Sequence, residues 1–160
     1  MHRAHAQIFH NFLRNRCMGI LMKEFLISRL VKSEDLNHHG TLFAGRTAEW
    51  FVEAAFITAA TKVGNPENLV CINIHGLQFK SPVTKGDIVT FKSRIVRLGK
   101  TSITVRTSVY SETGQITPVS GFLTFIHVDK DGKKTPHSLV LDETNDEQEL
   151  KYREEANKLF

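Results

Sequence analysis

The sequence predicts an α+β domain in which one curved antiparallel sheet wraps around one long buried helix. Three observations predict it. Residues Leu42 to Lys62 hold no Pro, no Gly after Gly45, and many Ala and aromatic side chains. The runs VTFKSRIV and TSITVRTSV alternate apolar and polar residues, as half-buried antiparallel strands do. All but one of the strand-like segments follow the helix, so one sheet closing over it is the economical way to bury it.

The elements follow in order. Glu24 to Lys32 (EFLISRLVK) is rich in β-branched and apolar residues and reads as the first strand. Ser33 to Thr41 is polar with one Gly and reads as a loop. Within Leu42 to Lys62, residues such as Phe43, Trp50, Phe51, Val52 and Phe56 leave almost no polar face. A helix apolar nearly all round is expected to be buried. Some 19 residues at about 1.5 Å each span roughly 28 Å, enough to cross a small domain. Gly64, Asn65 and Pro66 end it. Strands are expected over Leu69 to Phe79, Gly86 to Arg97, Lys100 to Ser111 and Thr117 to Val128. Turns at Pro82 to Gly86, at Gly99 and at Gly114 separate them. Asp129 to Gly132 is a further turn, and its glycine and distal acid are misplaced for a calcium loop. Asp142 to Leu159 reads as a charged helix. The chain thus divides into an extension (1–22), one domain (23–141) and a charged C-terminal helix (142–160).

At 160 residues the chain suits one domain, large enough to bury roughly two-thirds of its unfolded surface without disulfide or metal. No stretch approaches the roughly 20 apolar residues of a membrane span, so no membrane partner is expected. Cys17 and Cys71 give neither a disulfide framework nor a ligand spacing, which points to reduced thiols and a cytoplasmic setting. The eight histidines show no His-Glu-x-x-His spacing, so no metal is expected. The net charge of +4 suits a phosphate-bearing ligand as well as nucleic acid. No aromatic-plus-basic nucleic-acid motif accompanies it, so no nucleic-acid partner is expected.

Residues 1–21 are basic and His-rich, with Arg14, Asn15 and Arg16 interrupting any continuous apolar stretch. That excludes a secretory signal and leaves a helical extension, a leader upstream of a start at Met18 or Met22, or a transit peptide. Deleting residues 1–21 is expected to leave cooperative melting intact. Loss of that cooperativity in a thermal melt would show that the segment belongs to the core.

The loop–helix junction Asn37-His38-His39-Gly40-Thr41-Leu42-Phe43-Ala44-Gly45 resembles the Asn-x-x-Gly-x-x-Phe-Gly-Gly signature of acyl-CoA thioesterases of the hot-dog fold. Gly76-Leu77-Gln78-Phe79 with Pro82-Val83 and Gly86-Asp87 is similar to that family's strand and turn. Val96 to Ser102 is similar to its next hairpin, and Val128 to Pro136 to its last turn. The resemblance covers about Lys23 to Pro136. It implies a homo-oligomer (dimer, tetramer or hexamer) with sites shared between subunits, and an acyl-CoA substrate with no cofactor beyond the coenzyme A it carries. The apolar helix and sheet edges also favour self-association.

The junction has a physical reading of its own. A helix N-terminus presents unpaired N–H groups and a partial positive charge. Small residues there, Ala44 and Gly45, let a thioester carbonyl approach the backbone, which can stabilise an oxyanion. The alternative is that Gly40 and Gly45 serve only a tight turn and close packing. Hydrolysis also needs a base. The resemblance places the family's acid seven residues after the second glycine, where this chain has Val52. Glu53 is the next residue and Glu49 lies a turn earlier. Glu53 is the expected base, with Glu49 in reserve. Arg46, Glu49 and Glu53 also form one helical stripe that suits a solvated ion-pair face. Asn37 is expected to hold the water or orient the acid, as its family counterpart implies, and His39 is a further candidate. Lys85, Arg97, Lys100 and Thr101, at turns, are candidates for the nucleotide end of the ligand.

The main function expected is therefore acyl-CoA hydrolysis to acid and CoA. A catalytically weak acyl-CoA binding or sensing module is the alternative that Val52 favours. A hot-dog dehydratase fits less well, since the Phe-Ala-Gly context is not that family's.

Overall fold

The computed structural model describes residues 24–112 and 119–160. The expectations for residues 1–22 and for the turn at Gly114 lie outside them. The elements are β1 (Phe25–Leu30), α1 (Ala44–Val63), β2 (Leu69–Phe79), β3 (Ile88–Leu98), β4 (Ser102–Ser111), β5 (Val119–His127) and α2 (Glu147–Asn157). The strands form one sheet in the order β1-β3-β4-β5-β2, antiparallel at every pairing. The helix α1 lies against this sheet, touching all five strands. This is the hot-dog arrangement the sequence predicts.

Alternation sets the core. Val89 and Phe91 of β3, Ile103 and Val105 of β4, and Leu123 and Phe125 of β5 are fully buried. They meet Phe51, Ala54, Ala55 and Ala59 of α1 in one cluster. Each large side chain contributes about 1.5–3 kcal/mol by burial. The alanines have no bulk to hold the helix away from the sheet. Trp50 meets Phe91 edge-on, with ring centroids 6.3 Å apart, and Phe56 meets Phe125 at 5.9 Å.

Three expectations need correction. The helix starts at Ala44 rather than Leu42, because Leu42 pairs with Leu36 and its N–H donates to Val83 O at 2.8 Å. It is also not buried all round. Thr47, Phe51, Ala54, Ala55, Thr58 and Ala59 face the sheet, while Glu49, Glu53, Ile57 and Thr61 are exposed. One sheet covers one side of a helix, and nothing else among the described residues covers the other. The C-terminal helix begins at Glu147, five residues later than expected, where the Asp146 side chain caps it by accepting the Glu149 N–H at 3.0 Å. It packs on the face of β3 and β4 opposite α1.

One close approach shapes the sheet. Gly76 has φ +66 at a register shift in β2, and its carbonyl and that of His75 crowd Gly121 of β5. A Cβ on Gly121 would stand 2.9 Å from His75 O and 3.1 Å from Gly76 O. Gly121→Ala is therefore expected to cost about 1–3 kcal/mol, the range for overpacking. It would appear as a lower denaturant midpoint at unchanged slope. An unshifted midpoint would mean that β2 moves aside freely.

Candidate active site

The site lies where the loop before α1 meets the turn between β2 and β3. Asn37 organises the loop. Its Oδ1 accepts the N–H of His39 at 2.8 Å and of Thr41 at 3.3 Å, and its Nδ2 donates to Thr41 Oγ1 at 3.0 Å. Thr41 in turn pairs with Thr84, which fastens the loop to the turn. Asp35, buried, holds the helix start. Its carbonyl accepts the Phe43 N–H at 2.8 Å, and one carboxylate oxygen accepts the Lys32 N–H at 2.9 Å. The other oxygen lies 3.3 Å from Arg46 Nε in the first turn of α1.

These restraints leave a cleft of about 310 Å³ beside the helix N-terminus. Asn37, Thr41, Lys80 and Ser81 form its polar rim, and Ala44 and Thr47 bring the helix to its wall. Val89, Val109 and Val119 line its apolar side, all almost wholly buried. No side chain caps α1, so the N–H groups of its first turn remain donors without intrahelical acceptors. Polar donors beside an apolar recess suit a ligand with one polarisable carbonyl and a hydrocarbon end. The exposed Phe43 ring lies across Gly45, where a Cβ would come 2.5 Å from the ring. Gly45 thus makes room first for Phe43.

The other candidates stand elsewhere. Glu53 is nine residues beyond Ala44, about 13 Å along the helix axis. Its carboxylate is paired with Arg29 of β1. Glu49 pairs with Arg46 at 2.7 Å. The ion-pair stripe is therefore split, since Arg46 serves Glu49 and Asp35 while Glu53 reaches a different strand. Val52, half-buried, packs on the core cluster. His39 is exposed, its ring 3.9 Å from that of His38. Lys85 is exposed in the turn next to Thr84. Arg97, Lys100 and Thr101 belong to the β3–β4 hairpin, at the far end of an eleven-residue strand, roughly 30 Å from the cleft. There Arg97 stacks on Phe160 at 4.0 Å. One chain thus gathers Asn37, Ala44 and Gly45 but not Glu53, Glu49 or the hairpin cations. Sequence reasoning missed Lys80 and Ser81, although their place just before the Pro82–Gly86 turn was a usable signal. Burial pushes the Cys71 thiol up, which disfavours it as a nucleophile.

Comparison with known proteins gives this geometry a context. A profile of the thioesterase superfamily matches residues 39–117. The chain is 30% identical over 129 residues to the uncharacterized acyl-CoA thioester hydrolase YkhA of Bacillus subtilis, covering 75% of this chain and 74% of that protein. It is 27% identical over 122 residues to the acyl-CoA thioester hydrolase YciA of Salmonella typhimurium, covering 71% of this chain and 89% of that one. Among solved structures, an apo-hexameric acyl-CoA thioesterase aligns with TM-score 0.76 and 31% identity, over 85% of this chain and 87% of that chain. An acyl-CoA hydrolase from Staphylococcus aureus, solved with butyryl coenzyme A, coenzyme A and coenzyme A disulfide, aligns with TM-score 0.74 and 26% identity. That match spans 85% of this chain and 80% of the other.

Proposed function

The chain belongs to the thioesterase superfamily, and we propose accordingly that it hydrolyses acyl-CoA to a free acid and coenzyme A in a site shared between subunits of a homo-oligomer. The observation that carries the reading is the uncapped start of α1 beside a cleft with a valine-lined recess. The thioester carbonyl oxygen points at the N–H groups of Ala44 and Gly45, and the acyl chain enters the recess. Glu53 of a neighbouring subunit takes a proton from water as its oxygen attacks the carbonyl carbon. The oxyanion formed is held by the helix start. Its collapse breaks the carbon–sulfur bond, and the departing thiolate takes up the proton. Asn37 fixes the loop that frames the carbonyl. The reaction consumes only water and the ester, with no cofactor beyond the coenzyme A of the substrate.

The need for a second subunit follows from distance, since Glu53 and Gly45 of one chain lie too far apart to meet at one carbonyl. The long edge strand β2 supports association: its Val70, Ile72 and Ile74 are exposed, and it bonds to β5 on one side only. An open, apolar edge is a template for pairing. Light scattering at micromolar concentration is expected to give a multiple of 18.1 kDa. A monomeric mass would overturn the shared site. Among the described residues no helix is long and apolar enough to cross a membrane, and we assign the protein to the cytoplasm.

A second reading rests on Val52. With a core-packed apolar side chain where the family carries its acid, the protein would bind acyl-CoA without cleaving it. A panel of acyl-CoA esters with thiol release as readout separates the two. Turnover on any ester supports hydrolysis. Binding without release supports the sensing module, and Val52→Asp should then restore turnover.

A further inference from the structure

On the face of the sheet opposite α1 lies a second, polar cleft of about 200 Å³, between β3, β4 and the start of α2. The register sets Arg94 directly across from Arg106, and Lys92 across from Ser108. Like charges facing each other across strands are destabilising unless something offsets them. Arg94 is offset by Glu24 at 2.9 Å and Glu149 at 3.6 Å, and Lys92 by Glu24 at 3.5 Å. Arg106 has no acidic partner among the described residues. Its guanidinium lies flat on Tyr152, 3.7 Å from the ring centroid, and its Nε is buried without an acceptor. Stacking of this kind fixes the plane of the fork and leaves its edge free to bind. That edge shares the cleft with Lys92 and with Ser108 and Tyr110. Asp146, the cap of α2, and Glu24 are the acids at its border.

We propose that this cleft binds a phosphate dianion, either inorganic phosphate or the phosphate group of a small metabolite. A planar fork, an ammonium and two hydroxyls surround the three oxygens of a phosphate group from different sides. The polar lining leaves no place for a hydrocarbon. The inference is independent of the hydrolytic site, which lies on the other face of the sheet.

The test is calorimetric titration of the full chain with inorganic phosphate, and in parallel with AMP, at ionic strength held constant with sodium chloride. Saturable binding is expected. Arg106→Gln and Lys92→Gln should each raise the Kd at least 10-fold, while Lys130→Gln, in a remote exposed turn, should not. AMP binding at least 10-fold tighter than phosphate would identify a nucleotide as the occupant, and equal affinity would identify the phosphate group alone. A non-saturating response, or identical titrations for wild type and both cleft variants, would overturn the proposal. Should Arg106→Gln fail to melt cooperatively, Lys92→Gln decides, because its side chain sits beside Tyr110 and supports nothing in α2.

Discussion

Replacing Glu53 by glutamine is expected to lower acyl-CoA turnover by at least about 100-fold, the low end of what loss of a general base costs. The melting temperature should hardly move. Glu53 and Arg29 keep 47% and 39% of their side-chain surface exposed, and ion pairs so placed contribute about 0–1 kcal/mol. KM should stay near the wild-type value, since Gln preserves the volume of the side chain. Glu49→Gln is the control, because it removes a charge from the same exposed side of α1 and should leave turnover within about 3-fold, far inside the 100-fold expected of a base. Thiol-release kinetics on both variants decide the matter. If Glu49→Gln is the damaging change, the base has been misassigned. If neither matters while the wild type turns over, no carboxylate on this stretch of α1 is the base.

The largest effect on stability is expected at Phe51. Its side chain is 0% exposed at the centre of the helix–sheet interface. Truncation to alanine removes most of the ring and leaves a cavity between elements too well supported to collapse, at a cost of about 3–5 kcal/mol. Phe43→Ala, at the N-cap of the same helix but 54% exposed, should cost well under about 1 kcal/mol. Denaturant titrations of the two variants compare them directly. Equal losses would mean that α1 is not seated on the sheet as described.

Much of the fold was legible because local chemistry and tertiary environment agree. Leu69 to Phe79 was readable as a strand because Pro66 and Asn68 precede it and Pro82 follows. The alternation in β3 marks the face that the structure buries, whereas β4 is buried on both faces, Thr104 and Ser108 included. The failures have physical causes. Leu42 and Phe43 carry no helix-breaking feature, and tertiary bonds keep them extended: Leu42 pairs with Leu36 and donates its N–H to Val83 O, 41 residues away, while the Phe43 N–H donates to Asp35 O. The side on which α1 is covered was not legible, because composition cannot tell a helix face awaiting a partner from one buried in its own chain. The partner of Glu53 was hidden for the same reason. Arg29 is 24 residues upstream, and nothing local brings β1 beside the middle of α1. The junction loop was legible as a candidate site because its small and turn-forming residues lie together in sequence, and a cleft does open there. The surroundings of Glu53, the proposed base, were not, because they are assembled from distant segments.

On the proposed assignment of Glu53 as the base, its pairing with Arg29 ties the chemistry to a short edge strand. β1 has six residues, stands at the edge and is hydrogen-bonded only to β3. Such strands open locally at free energies well below that of global unfolding. When β1 peels away, Glu53 loses the cation that orients it while the rest of the fold persists. Warming should therefore silence the enzyme before it melts, and the silenced state should recover at once on cooling. Backbone amides of β1 would exchange with solvent deuterium over the same interval, ahead of those in β4.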